Sequence, residues 1–152
     1  MTTLKDLMVR YPYQFSGPYI YLSFARGWFA LFVQLCENVD QLLGENKRHF
    51  HWTQTKEKFG VFRIYYVLDG MYEDDQDFPA RLELLRKISD LKQETEEASS
   101  RICAYCGAPG HLVVGPWTIT LCDDHHRARE AGTLPSIWHD EGLPSQVDGA
   151  GS

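Results

Sequence analysis

Three cysteines and a histidine towards the end of the chain have the residue types and the spacing of metal ligands. Cys103 and Cys106 form a C-x2-C pair, and Cys122 and His125 form a C-x2-H pair after an interval of fifteen residues. Zn²⁺ prefers four thiolate or imidazole ligands in a tetrahedron, and a short C-x2-C step supplies two of them from one turn. The spacing therefore predicts one structural zinc ion on these four residues, with His126 as an alternative fourth ligand.

The elements around these ligands are predicted from the intervening residues. Two β-rich runs, 111–114 and 117–121, are separated by Gly115-Pro116 and indicate a hairpin. The second ligand pair opens a helix predicted at 123–131, with acidic residues in its first turn and a glycine after its end. The turn that carries Cys103 and Cys106 (the knuckle), the hairpin and the helix together resemble a treble-clef zinc finger. We expect residues 101–133 to form this module, which is too small to bury a core without a metal ion.

The preceding hundred residues have the pattern of an α+β domain. Apolar residues recur at helical spacing from Trp28 to Leu43, and Gly44 is a natural C-cap. Segments 49–58 and 61–68 have strand patterns, and a second helix is predicted after Pro79. These observations predict an antiparallel sheet with two main helices in a domain at 1–100. We expect an irregular lead-in at 1–22 and an extended or disordered tail at 134–152.

Composition and charge restrict the classes of function. The chain has 152 residues and a net charge of −6, and it contains no apolar run long enough to span a bilayer. No signal peptide is evident at the start, so we expect a cytoplasmic protein whose clustered cysteines bind metal rather than form disulfides. The negative charge weighs against nucleic-acid binding. A local basic cluster, Lys56, Lys58 and Arg63, is nevertheless a candidate partner-binding surface, and a nucleic-acid-binding zinc module is one alternative function.

A second alternative is enzymatic. The segment 121–127 resembles the last segment of HNH nucleases, whose treble-clef core carries a catalytic metal ion. Such a site needs a general-base histidine, usually beside an aspartate, in the hairpin between the ligand pairs. Here the hairpin contains only His111, with no aspartate next to it in sequence. We therefore favour a non-enzymatic protein, and the degenerate HNH-like nuclease predicts instead that His111 or His126 is essential for cleavage.

The order of motifs resembles that of a family of small uncharacterised proteins from bacteria and their phages. The shared pattern is a Gly-Trp-led helix, K-E-K-F-G-x-[LF]-R-x-Y, C-x2-C-G-x-P-G and a final T-L-C; here these occupy 27–28, 56–65, 103–110 and 120–122. Phe62 replaces the usual leucine, and Pro116 is an additional residue. The resemblance implies a phage or prophage origin and carries no activity with it. In that context we expect a zinc-stabilised protein in the host cytoplasm that binds, and by binding could inhibit, a host protein or protein–nucleic-acid complex such as a defence system.

Overall fold

The chain folds into a layer of helices packed on a small sheet, followed by the metal-ligand module. The structure is a computed structural model, and it describes residues 2–69 and 78–139. Its α helices are α1 (Leu4–Arg10), α2 (Phe29–Leu43), α3 (Phe78–Ser99) and α4 (Asp123–Glu130). Its strands are β1 (Tyr21–Leu22), β2 (Phe50–Lys58), β3 (Val61–Leu68), β4 (His111–Val113) and β5 (Ile119–Leu121). The α+β class predicted from the sequence is confirmed. We call the part before residue 101 the body and residues 101–133 the module.

The sheet of the body has the strand order β1-β2-β3. β2 and β3 form the expected antiparallel hairpin, and β1 adds a short parallel strand to β2. The expected irregular lead-in contains a helix as well as this strand, and α1 is seven residues long. Thr3 and Asp6 form a capping box at its start, and Leu4 and Leu7 are buried, so local capping and burial together stabilise a helix too short to show a clear periodicity.

A bulge in β2 determines which side chains face the core. Trp52 pairs with Tyr66 and Gln54 pairs with Tyr65, so Thr53 is an extra residue in β2. Strict alternation would place Lys56 and Lys58 on the same face as Phe50 and Trp52. The extra residue reverses the alternation, because the residues that follow it are shifted by one position. As a result Thr55 is buried in the core, and the two lysines lie on the outer face of the sheet.

Aromatic side chains from α2 and the sheet fill the core of the body. The rings of Trp28 and Phe62 stack with centroids 5.9 Å apart, and Phe32 lies 5.3 Å from Trp52. The other long helix, α3, runs along the free edge of β3 and caps its backbone donors. The Ser99 hydroxyl accepts from the Phe62 N–H at 2.9 Å, and the Glu96 carboxylate accepts from the Ile64 N–H at 2.9 Å. The edge of β3 is therefore covered rather than open to pairing with another strand.

The module packs directly on the body. The indole N–H of Trp28 donates to the Ile102 carbonyl at 2.9 Å, and the Thr120 hydroxyl donates to the Gly60 carbonyl at 2.8 Å. An added Cβ on Gly27 would lie 2.0 Å from the Cys103 carbonyl oxygen, so only glycine permits this approach. Buried residues of the module, including Val113, Ile119 and Leu121, belong to the same hydrophobic core as the body. The body and the module therefore share one interface, and their backbones are in close contact where Gly27 meets Cys103.

The segment after the module returns to the body. Residues 134–139 form no helix or strand, but Ile137 is buried and an isolated antiparallel bridge joins Ala25 and Trp138. The Arg26 N–H donates to the Ile137 carbonyl at 2.6 Å. The remainder of the predicted tail, 140–152, lies outside the described residues. Among the helices that are described, none combines the length and the hydropathy needed to cross a membrane.

Candidate metal centre

The first ligand pair lies in a tight turn immediately after the start of the module. The Cys103 N–H donates to the Ala108 carbonyl at 2.7 Å, and the Gly107 N–H donates to the Cys103 carbonyl at 2.9 Å. Gly107 has a φ of 80°, a left-handed conformation that glycine adopts without steric penalty. This turn folds the chain so that the thiols of Cys103 and Cys106 face the same point.

The second ligand pair lies where β5 ends and α4 begins. Cys122 is the N-cap of α4 with extended backbone angles, and His125 follows within the first turn of that helix. Asp123 and Asp124 also occupy the first turn, where negative charge interacts favourably with the helix dipole. The β4–β5 hairpin pairs His111 with Leu121, and this pairing brings the end of β5 back to the first turn of the module. The hairpin therefore positions the two ligand pairs opposite each other.

The four predicted ligands form one cluster. Their ligand atoms all lie within 4.8 Å of one another, the geometry of a group that could hold a metal ion. The Cys106 and Cys122 sulfurs are 3.9 Å apart, and His125 Nδ1 lies 3.6 Å from the Cys103 sulfur and 3.2 Å from the Cys122 sulfur. All four cysteines of the chain lie in the described residues and are free thiols. This is the only such group of metal-ligand side chains within the described residues.

The surroundings of the first ligand pair favour ionisation of the Cys103 thiol and oppose ionisation of the Cys106 thiol. Burial opposes charge on Cys103, but hydrogen bonds from the backbone N–H groups of Cys106, Cys122 and Tyr105 outweigh it and lower the pKa of Cys103 to about 7. Burial and the adjacent Cys103 thiol raise the pKa of Cys106 to about 11. Repulsion between neighbouring thiolates is relieved when a dication binds between them, because the metal ion is then the largest local charge. The cluster is therefore chemically suited to a divalent cation.

The structure separates the two candidate histidines. His125 lies in the cluster, and its ring packs against Tyr105 with centroids 4.5 Å apart. Arg26 in turn lies over the Tyr105 ring at 5.3 Å. His126 is not part of the cluster, and its Nε2 lies 3.6 Å from a Glu130 carboxylate oxygen. The ligand set that the structure brings together therefore contains His125 rather than the alternative His126.

His111 has an acidic neighbour that its position in the sequence does not reveal. Its Nδ1 lies 3.8 Å from Asp123 Oδ1, and its ring is 6.2 Å from the ring of His126. The His111 and Asp123 side chains are more than half exposed. Since these residues come from β4 and the start of α4, only the folding of the hairpin onto the helix brings them together.

The predicted partner-binding residues lie on the outer face of the body sheet, and none of them belongs to the metal cluster. Lys56 and Arg63 are directly opposite each other on β2 and β3, and Lys58 is the next outward residue on β2. Tyr65 is also on this face, and Tyr21 joins it because β1 pairs with β2 at Gln54. Tyr21 was not predicted as part of this surface, because the short strand that contains it has no recognisable sequence pattern.

Comparisons with protein-family models, curated proteins and solved structures found no match to this chain.

Proposed function

We propose that this protein is a non-enzymatic binding protein whose module is held together by one structural zinc ion. The observation that carries the proposal is the closed cluster of three thiols and one imidazole, with all ligand atoms within 4.8 Å of each other. Zinc sites with four protein ligands are structural, whereas catalytic zinc retains a position for water or substrate. Such a centre stabilises the module and leaves the remaining surface available for recognition.

The dimensions of the cluster support zinc. Ideal tetrahedral zinc, with Zn–S near 2.3 Å and Zn–N near 2.05 Å, separates two sulfurs by about 3.8 Å and a sulfur from a nitrogen by about 3.6 Å. The measured distances are 3.9 Å between the sulfurs of Cys106 and Cys122, and 3.6 and 3.2 Å from sulfur to the nitrogen of His125. Calcium and magnesium are disfavoured because they bind oxygen ligands. Cys103, Cys106, Cys122 and His125 would thus hold zinc without large rearrangement.

The partner is proposed to dock on the basic outer face of the sheet. The protein as a whole has a net charge of −6, yet Lys56, Lys58 and Arg63 are gathered on this one face. Complementary charge steers association and suppresses wrong partners, so the partner should present negative charge. In the phage context that the motif resemblance implies, the partner is a host protein or protein–nucleic-acid complex, and occupying it would inhibit it.

The proposal is tested by assaying turnover and capture with the same preparation. Purified protein is incubated with DNA, RNA and nucleotides in Mg²⁺ and Mn²⁺, and immobilised protein is used to capture partners from a host lysate. The double variant Lys56→Glu/Arg63→Glu is compared with Lys5→Glu/Lys87→Glu, which makes the same change in charge elsewhere. We expect no turnover of any substrate. We also expect a partner that binds the wild-type protein and Lys5→Glu/Lys87→Glu but not Lys56→Glu/Arg63→Glu. Turnover by the purified protein would contradict the proposal.

A nuclease of degenerate HNH type is the second candidate, favoured by the proximity of His111 to Asp123. The distance of 3.8 Å from His111 Nδ1 to Asp123 Oδ1 is longer than a hydrogen bond, but a carboxylate at that position could orient the imidazole as a general base. This candidate predicts metal-dependent cleavage that His111→Ala or His126→Ala abolishes while zinc remains bound. Cleavage that persists in both variants, or no cleavage at all, would exclude it.

A further inference from the structure

The outer face of the sheet carries three cations, and no acidic residue occupies an outward position on the strands that the structure describes. The outward residues are His51, Gln54, Lys56 and Lys58 on β2 and Val61, Arg63, Tyr65 and Val67 on β3. His51, opposite Val67 at the far end of the face, is buried, and its Nε2 lies 2.7 Å from a carboxylate oxygen of Asp69, the residue after β3. In the structure as described (residues 2–69 and 78–139), no carboxylate lies within ion-pair distance of Lys56, Lys58 or Arg63. Lys56 and Arg63 are directly opposite each other on β2 and β3. Like charges in such a cross-strand pair destabilise a sheet. An anion bound across the pair would remove that repulsion.

Flat aromatic rings form a row beside the cations. Tyr21 pairs with Gln54 and Gln54 pairs with Tyr65, so the two tyrosines flank one cross-strand row. Tyr21 is 50% exposed and Tyr65 is 40% exposed, which leaves ring surface available to a ligand. The next outward row, Lys56 and Arg63, is two residues further along the strands, about 6.6–6.8 Å away. A row of rings therefore runs parallel to a row of positive charges.

We propose that this face, defined by Tyr21, Tyr65, Lys56, Lys58 and Arg63, binds single-stranded nucleic acid. A nucleotide chain always carries flat bases and phosphates in parallel rows, whereas an acidic polypeptide has rings beside its carboxylates only where its sequence supplies aromatic residues. Proteins that bind single strands combine cations that follow the backbone with aromatic side chains on which bases stack. The inference rests on the proposed binding function and names the part of a host protein–nucleic-acid complex that this chain would contact.

The surroundings of Tyr65 fit the same ligand. The ammonium of Lys56 lies 5.7 Å from the centre of its ring, and that of Lys92, from α3, lies 5.4 Å from it. The Lys92 ammonium is also 3.9 Å from a Glu96 carboxylate oxygen, so Lys92, unlike Lys56, is already paired with an acid. Both lysine stems are flexible, and either ammonium can move from the ring to the phosphate of a base that stacks there.

The test measures binding of a fluorescently labelled oligothymidylate and an oligouridylate of about 20 nucleotides at several salt concentrations. With three phosphate contacts the slope of log K against log salt should be about −2, a loss of roughly 20-fold between 50 and 200 mM salt. The variant Lys56→Gln/Arg63→Gln should bind more weakly and lose only about threefold over that range. The control Lys5→Gln/Lys87→Gln, with the same change in charge, should behave as wild type.

The aromatic row is tested separately. Tyr65→Ala and Tyr21→Ala should each weaken binding at least about fivefold, because stacking contributes about 1–3 kcal/mol per base. Tyr19→Ala is the matched control, since Tyr19 is 82% exposed and lies outside the strands. Zinc content and thermal unfolding of each variant show whether it is folded.

Three outcomes would overturn the inference. They are no oligonucleotide binding at low salt, equal weakening by the variants and their controls, or binding of polyglutamate in place of the oligonucleotide. The last outcome would leave the proposed binding function standing with an acidic protein as the partner. Cleavage of the oligonucleotide would instead contradict the proposed function itself, so the two failures can be distinguished.

Discussion

Cys36 and Cys103 are both fully buried, but the surroundings of their thiols differ. Cys36 is on α2 among aromatic side chains, and burial raises the pKa of its thiol well above the usual value. Cys103 is in the knuckle of the module, where backbone N–H groups outweigh burial and lower its pKa to about 7. A protonated thiol packs as a small apolar group, whereas a readily ionised thiol binds cations. We therefore expect burial alone to stabilise the body, whereas the module, which also contributes Val113, Ile119 and Leu121 to the shared core, should depend on ligand bonds as well.

The largest expected effect follows from removing a ligand of the module. Cys122→Ser should abolish stoichiometric zinc binding and unfold residues 101–133, because structural zinc contributes up to about 10–16 kcal/mol in zinc-finger peptides. Elemental analysis and hydrogen exchange check this: amides of the module should lose protection while those of α2 retain it. Cys36→Ala is the matched control and should keep one zinc ion per chain. Full zinc occupancy in Cys122→Ser would contradict the ligand assignment.

The next effect concerns the aromatic core of the body. Phe62→Ala should lower the free energy of unfolding by about 3–5 kcal/mol, since it removes a buried ring that packs on Trp28 and Phe32. Denaturant unfolding measures this loss, and elemental analysis should show zinc content unchanged. Phe62→Leu is the companion variant and should lose less, because it retains most of the apolar volume. If Phe62→Ala released zinc under native conditions, the two regions would not be stabilised independently.

Gly27 is the body residue whose substitution should act on the module. Gly27→Ala places a Cβ 2.0 Å from the Cys103 carbonyl oxygen and 2.6 Å from the Gly107 nitrogen, so the knuckle must shift. We expect a destabilisation of about 1–3 kcal/mol together with weaker zinc retention against a chelator. Gly115→Ala provides a control within the module, because its nearest neighbour is an arginine nitrogen at 3.6 Å. Unchanged zinc retention in Gly27→Ala would show that the contact between body and module does not affect the metal site.

The smallest effect is a gain in stability at the tip of the β2–β3 hairpin. Phe59 and Gly60 form the two-residue loop, with φ values of 52° and 82°. Such loops favour Asn-Gly, and a phenylalanine in the left-handed region is strained. Phe59→Asn should therefore raise the free energy of unfolding by about 1 kcal/mol. Thermal unfolding measures this gain. Tyr65→Phe is the control, because it changes an exposed ring without changing the backbone. A loss of stability in Phe59→Asn would contradict the assignment of strain.

The sequence predicted well those elements whose pattern is long or chemically specific. The apolar face of α2 and its end at Gly44, the antiparallel strands β2 and β3 and the clustering of the four ligands all follow from local spacing. The outward orientation of Lys56 and Lys58 does not, because it depends on the bulge at Thr53. A one-residue change of phase cannot be read from alternation alone, since both faces of β2 then contain mixed residues.

Contacts between segments that are distant in the chain could not be predicted from the sequence either. Tyr21 reaches the outer face only because two residues of β1 pair with β2. His111 and Asp123 approach each other only because the hairpin folds onto α4. The choice of His125 over His126 likewise depends on how α4 is oriented after Cys122, a rotation of about 100° per residue that ligand spacing alone does not resolve.

The central claim is a closed zinc site, and X-ray absorption at the zinc edge combined with elemental analysis tests it most directly. One zinc ion per chain, surrounded by three sulfur atoms and one nitrogen atom, is the result predicted from Cys103, Cys106, Cys122 and His125. The spectrum should not change when anions that bind open zinc positions are added, because all four positions are occupied by protein ligands. A purified protein without zinc, or a zinc ion with an oxygen ligand from water, would contradict the account.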